Sequence, residues 1–210
     1  ACREVNTKTK TTEVVWRKGL AFSEMLRLAE TLPLPFILHF RKASIGGSQQ
    51  NLTHPFPISP EVSLDLEGRT TGAVLFHNGT WKEYTNEVRI AAYRVGARIP
   101  SGRWSDTRAL AFLSHFYGPG IIEVISDQKG VVFGPDTIEV IEGSDGFKNI
   151  NGMLCSNDRF LTLPTIYAPL CQFGRCVRTD NLGTDKKCPD HTADKKTLGP
   201  AHEVAQASPI

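Results

Sequence analysis

The chain has 210 residues, 40% hydrophobic and 22% charged, the balance of an ordinary globular protein with room for one good-sized core and a tail. Its 24 basic and 22 acidic residues leave a net charge of +2, too even to point to nucleic acid or a membrane surface as a partner. No apolar run approaches the ~20 residues of a membrane span, and the polar opening stretch is not a secretory signal.

Residues 11–17 (TTEVVWR) are β-branched and alternating, which predicts a strand turned by Lys18-Gly19. Phe22, Met25, Leu26, Ala29 and Leu32 recur at helical spacing, with Ser23 as a candidate N-cap and Pro33 and Pro35 as terminators. Residues 35–41 form a nearly continuous apolar run and are expected to be a strand buried on both faces. Residues 72–76 (GAVLF) are expected to be another, running into His77-Asn78-Gly79. Residues 86–98 place Val88, Ala91, Ala92 and Val95 on one helical face. Ser105-Asp106 caps a stronger helix over 107–117, closed by Gly118-Pro119-Gly120. Short strands are expected over 121–126, 131–133 and 137–142, split by turns at Gln128-Lys129-Gly130 and Gly134-Pro135-Asp136, with a last strand over 152–156. Helices and strands in separate runs predict an α+β fold with helices packed on antiparallel sheet. From about residue 179 large apolar residues nearly vanish, which predicts a largely disordered tail.

The five cysteines, Cys2, Cys155, Cys171, Cys176 and Cys188, are odd in number and scattered, a poor disulfide framework and a better fit to a reducing, cytoplasmic compartment. The sequons at Asn51 and Asn78 are then chance matches. Cys171, Cys176, Cys188 and His191 could supply four zinc ligands; the alternative is unpaired thiols in a loose tail. No cofactor is called for.

Four polar clusters stand where core strands end or helices begin. In "HFRKASIGGSQQNLTHPFPIS", Arg41 leaves an apolar run beside Ser44, Gly46 and Gly47. A guanidinium among small residues suits a carboxylate held by two parallel bonds, or is an exposed strand-end arginine. Asn51, Thr53 and His54-Pro55-Phe56 follow, where His54 either orients a neighbour or bonds the backbone. Asn78-Gly79 is a turn signal, or an oxyanion hole made of a side-chain amide and a backbone N–H. Asp106 is a capping carboxylate, or the anchor of an ammonium group. A cationic anchor, an anionic anchor and an oxyanion hole together suit a zwitterionic amino acid whose side-chain carbonyl is attacked, such as glutamine.

The order HFR-x-A-S-x-G, N-x-T-H-P-F, HNG, S-D-T resembles the class II glutamine amidotransferase domains over roughly residues 10–160. The resemblance implies an Ntn-hydrolase-like αββα sandwich of two antiparallel sheets flanked by helices, spanning residues 1–170, with 171–210 as a Cys-containing tail. It implies that Arg41 binds the glutamine α-carboxylate and Asp106 its α-ammonium. Asn78 and the Gly79 N–H would form the oxyanion hole, and Ser44 and His54 would line or support the pocket. Ser44 stands where the family usually has threonine, and Ile45 where it often has histidine. Such domains use an N-terminal cysteine whose α-amino group is the base, releasing ammonia to a synthase partner. The polar residues after Cys2 and its short path to Arg41 place residues 1–17 as the family's second hairpin, with the nucleophile expected upstream; the alternative is Cys2 itself as nucleophile after removal of Ala1. Two alternatives remain: an amidohydrolase acting on a different amide, and a catalytically inactive binding or interaction domain.

Overall fold

The structure, a computed structural model, describes residues 1–41, 49–125 and 128–158. Ala1–Asp158 form one compact unit. The expected tail, and with it Cys171, Cys176, Cys188 and His191, lies outside the described residues.

The chain opens with an antiparallel hairpin, β1 (Cys2–Val5) and β2 (Thr12–Arg17). Its loop is held by Asn6, whose side-chain oxygen accepts from the N–H groups of Lys8 and Thr9. Helix α1 (Phe22–Ala29) begins two residues earlier than a Ser23 cap would set it. Ala21 is the N-cap, and its N–H donates to Glu24 Oε2 at 3.2 Å. After β3 (Phe56–Pro57) and β4 (Glu67–Thr70) comes β5 (Val74–Asn78), which carries the chain to the asparagine itself. Helix α2 (Tyr84–Val95) ends at Gly96, whose φ of 66° is the left-handed cap that glycine supplies without strain. Helix α3 (Asp106–Tyr117) has the expected Ser105 cap, with the hydroxyl accepting from Arg108 N–H. Then follow α4 (Ile121–Ile125), β6 (Lys129–Phe133), β7 (Ile138–Ile141) and the hairpin β8 (Lys148–Ile150) with β9 (Met153–Cys155).

Two antiparallel sheets dominate, one ordered β1-β2-β4 and the other β3-β5-β6-β7. Side-chain parity on β5 shows how they are layered. Val74 and Phe76 pack with Phe133 of β6 and with Val14 and Trp16 of β2, so this face meets the other sheet. Leu75 alternates to the opposite face and packs with Val132, Ile141 and the buried residues of α2 and α3. The order of layers is therefore helices, sheet, sheet. Close approach between strands needs glycine at one point: a Cβ on Gly68, opposite Trp16, would stand 2.3 Å from the indole Cζ2.

Three expectations are corrected. Residues 35–41 are not a doubly buried strand. Phe36 makes a single bridge to Cys2, and Ile37 and Ala1 exchange both backbone hydrogen bonds; residues 38–41 belong to no strand. Residues 121–125 are helical although Ile-Ile-Glu-Val-Ile is β-branched. Pro119 presets the turn, the Ile121 and Ile122 N–H groups bond to Gly118 and Pro119, and Ile122 is buried among the core helices, so packing overrides propensity. Gln128-Lys129-Gly130 is no turn, because Lys129 and Gly130 pair with Asn78 and His77 in the ladder.

Candidate functional site

Elements distant in sequence meet through buried hydrogen bonds at the end of β5. The His77 backbone N–H donates to His54 Nδ1 at 3.3 Å. A backbone N–H can only donate, so His54 Nδ1 is the unprotonated nitrogen and Nε2 carries the hydrogen. His54 Nε2–H then donates to Thr107 Oγ1 at 2.9 Å, which leaves the threonine hydroxyl to donate to His77 Nδ1 at 3.1 Å. His77 is thus also an Nε2–H tautomer, and it donates to Gln128 Oε1 at 2.7 Å. The far end gives an independent check. The Gln128 amide nitrogen donates to the Thr80 carbonyl at 3.4 Å, which can only accept, so Oε1 must be the atom facing His77. Both ends impose the same direction. His54 is therefore a support with both ring nitrogens engaged inside the protein.

Gln128 also explains Gly79. A Cβ there would stand 1.6 Å from Gln128 Oε1 and 2.9 Å from His77 Nε2, so only glycine admits the amide. Asn78, the last residue of β5, is exposed and its Nδ2 donates to Ser156 Oγ at 2.8 Å. An Asn amide has a second N–H. Asp106 is buried at the first position of α3; its Oδ2 accepts from Trp81 N–H at 3.2 Å and its Oδ1 from Thr107 N–H at 2.9 Å. This carboxylate ties the loop after Asn78-Gly79 to the helix start, and each oxygen retains accepting capacity.

Arg41 completes the cluster electrostatically. His39 stacks on His54 with ring centroids 4.0 Å apart, and the Arg41 charge acts on both imidazoles. Burial holds His39 at about 4, opposed by a hydrogen bond with the His77 backbone and reinforced by His77 and Arg41. Burial, then the charges of His39, His77, Arg41 and Lys18, push His54 well below 6.5. Burial also lowers His77, although its Gln128 bond and Asp106 resist. All three rings are neutral at pH 7. Between 6.5 and about 4 the unfolded chain binds a proton that His39 refuses, and buried His54 and His77 act in the same direction, so stability is full above 6.5 and falls as pH drops through that window. His39→Phe should flatten the fall, sparing about 2 kcal/mol between pH 6.5 and 4.5 in urea titrations. An unchanged pH slope would mean that His39 titrates freely in the fold.

Of the expected site residues, Arg41, His54, Asn78, Gly79 and Asp106 lie in this one region, while Ser44 lies outside the described residues. His77, Thr107 and Gln128 were not picked out as site residues. His77 and Thr107 adjoin the motif residues, whereas Gln128 carried only a turn signal. Cys2 is placed differently. It pairs with Val15, whose neighbours Val14 and Trp16 face the second sheet, so the Cys2 side chain points to the outer face. Asn78 shares the parity of Val74 and Phe76 and is on the inter-sheet face. Burial raises the Cys2 thiol above its ordinary value.

Among the described residues no helix is long and apolar enough to cross a membrane, and no group of His, Cys, Asp and Glu is arranged to hold a metal ion. Compared with family models, curated proteins and solved structures, the chain finds no match.

Proposed function

We propose that these residues form the glutamine pocket of a class II glutamine amidotransferase domain of Ntn-hydrolase fold, releasing ammonia from the side-chain amide for a synthase partner in the cytoplasm. The observation that carries this is the directed hydrogen-bond path joining His54, His77 and Thr107. Each belongs to a different one of the four clusters, and the charge of Arg41, from the remaining cluster, is felt at His54. The helix-sheet-sheet layering supports the same reading. Arg41 holds the α-carboxylate, Asp106 uses its spare lone pairs on the α-ammonium, and Asn78 with the Gly79 N–H meets the γ-carbonyl oxygen.

In isothermal titration with L-glutamine, Arg41→Ala and Asp106→Asn should each weaken binding roughly 10- to 100-fold, because each removes a charge-assisted anchor. Wild-type affinity in both variants removes the amino-acid clamp. A second reading, a pocket that binds without turnover, is favoured by one observation: the Cys2 thiol faces the outer side of its sheet. Glutamate release that is lost on Cys2→Ala would dismiss it.

A further inference from the structure

Lys129 has no part in the proposed glutamine pocket, yet it is the register partner of Asn78 at the shared end of β5 and β6. Directly paired residues project to the same face, so the ammonium and the amide emerge side by side. Both converge on one residue. Asn78 Nδ2 donates to Ser156 Oγ at 2.8 Å, and Lys129 Nζ donates to Ser156 O at 2.8 Å. Lys129 is 7% exposed, and its ion-pair partner Asp145, at 2.9 Å, has a side chain that is 78% exposed. The ammonium is thus enclosed while its counter-charge sits in solvent. Ser156 follows β9, part of a two-stranded sheet separate from the two larger ones. The Asn78–Ser156 bond is exposed, and exposed neutral hydrogen bonds exchange with water at little cost.

We propose that Ser156 is a latch, its two oxygens standing where a ligand's carboxylate or developing oxyanion is held by Asn78 and Lys129 together. Release of the latch turns the amide and the ammonium toward that oxygen. This rests on the glutamine reading only for the ligand's identity: there, the oxygen is that of the γ-carbonyl, and Lys129 adds a positive charge to the donor pair of Asn78 and Gly79. An ammonium near a forming oxyanion strengthens as water is excluded, which suits its enclosure.

The test follows the Asn78 side-chain amide resonance of the whole chain by NMR, with L-glutamate and sodium acetate as probes. Ser156→Ala should move that resonance before any probe is added and tighten L-glutamate binding roughly threefold to tenfold, the effect of removing one competing hydrogen bond. Adding Lys129→Gln to Ser156→Ala should cancel the gain, and Lys129→Arg should keep part of it. Affinity within about twofold of wild type in Ser156→Ala, or a gain that survives Lys129→Gln, overturns the latch. Acetate separates the two ideas. If acetate moves the resonance in a Lys129-dependent way while L-glutamate binds no better than acetate, the latch stands and the amino-acid pocket falls. If neither anion moves it, the latch falls.

Discussion

Arg108→Met should lower unfolding free energy by about 3–5 kcal/mol, and the melting temperature by roughly 10 °C. Arg108 is 2% exposed, and burial lowers its pKa to about 10, so it is still charged at pH 7. Among the described residues no carboxylate forms an ion pair with it. Its Nε donates to Val62 O at 3.0 Å, Nη1 to Arg103 O at 2.8 Å and Nη2 to Ser101 O at 3.0 Å, while the guanidinium lies over the Trp104 ring at 4.5 Å. Three backbone carbonyls from two loops thus depend on one planar fork. One of them belongs to Val62, a fully buried β-branched residue held at φ 37°, in the left-handed region that such residues avoid. Methionine fills most of the volume and returns none of the donors, so the strain at Val62 and the three carbonyls are left uncompensated. Arg108→Lys should recover less than half of the loss, because one ammonium cannot span three acceptors set by a fork. The consequence reaches the site, since the loop through Ser101 and Arg103 leads directly into Ser105 and Asp106. Guanidinium titrations at pH 7 decide the matter; a loss under about 1 kcal/mol in Arg108→Met would show that the loops hold themselves.

How much of this was legible in the sequence depended on the range of the forces involved. Local signals held. The alternation of TTEVVWR, the apolar run into His77, the Ser105 cap and the Gly134-Pro135-Asp136 turn each depend on neighbours within a few residues, and each is present in the structure. Strand β1 was legible only through the family resemblance, which places residues 1–17 as a hairpin, because CREV has no apolar alternation. It is held instead by pairing with β2, and by Arg3, which bonds the carbonyls of Gly134 and Thr137 and lies over the Phe133 ring. The β-branched run at 121–125 misled for the opposite reason, since burial against α3 decided its state. In the site, the same division recurs. The motif residues could be named because loops between regular elements are short and rich in chemistry. The path joining them could not, because Gln128 lies 51 residues from His77 and Ser156 lies 78 from Asn78. Nothing in the string Asp-Gln-Lys-Gly distinguishes an amide that clamps a distant histidine from one that turns a loop.

Thr107→Val should cost about 2–5 kcal/mol, although it keeps the shape of the side chain. The hydroxyl is the middle of the directed path: it accepts from His54 Nε2–H and donates to His77 Nδ1. Valine leaves a buried donor and a buried acceptor without partners, each worth roughly 1–3 kcal/mol of desolvation. Both imidazoles resist taking up a proton, because burial holds each below its ordinary value and, at His54, the surrounding positive charges add to it. Thr107→Ser retains both bonds and loses one methyl group, which should cost only about 1 kcal/mol. Imidazole nitrogen shifts should show Nε2–H tautomers for His54 and His77 in the wild type and in the serine variant at pH 7, and a disturbed His77 in the valine variant. The pocket should respond as well. Asp106 precedes Thr107 and Asn78 follows His77, so breaking the path loosens both at once, and L-glutamine should bind more weakly to the valine variant under conditions where it is still folded. A valine variant as stable as the serine one, with both tautomers unchanged, would mean that the threonine hydroxyl is incidental and that the four clusters are neighbours without being coupled.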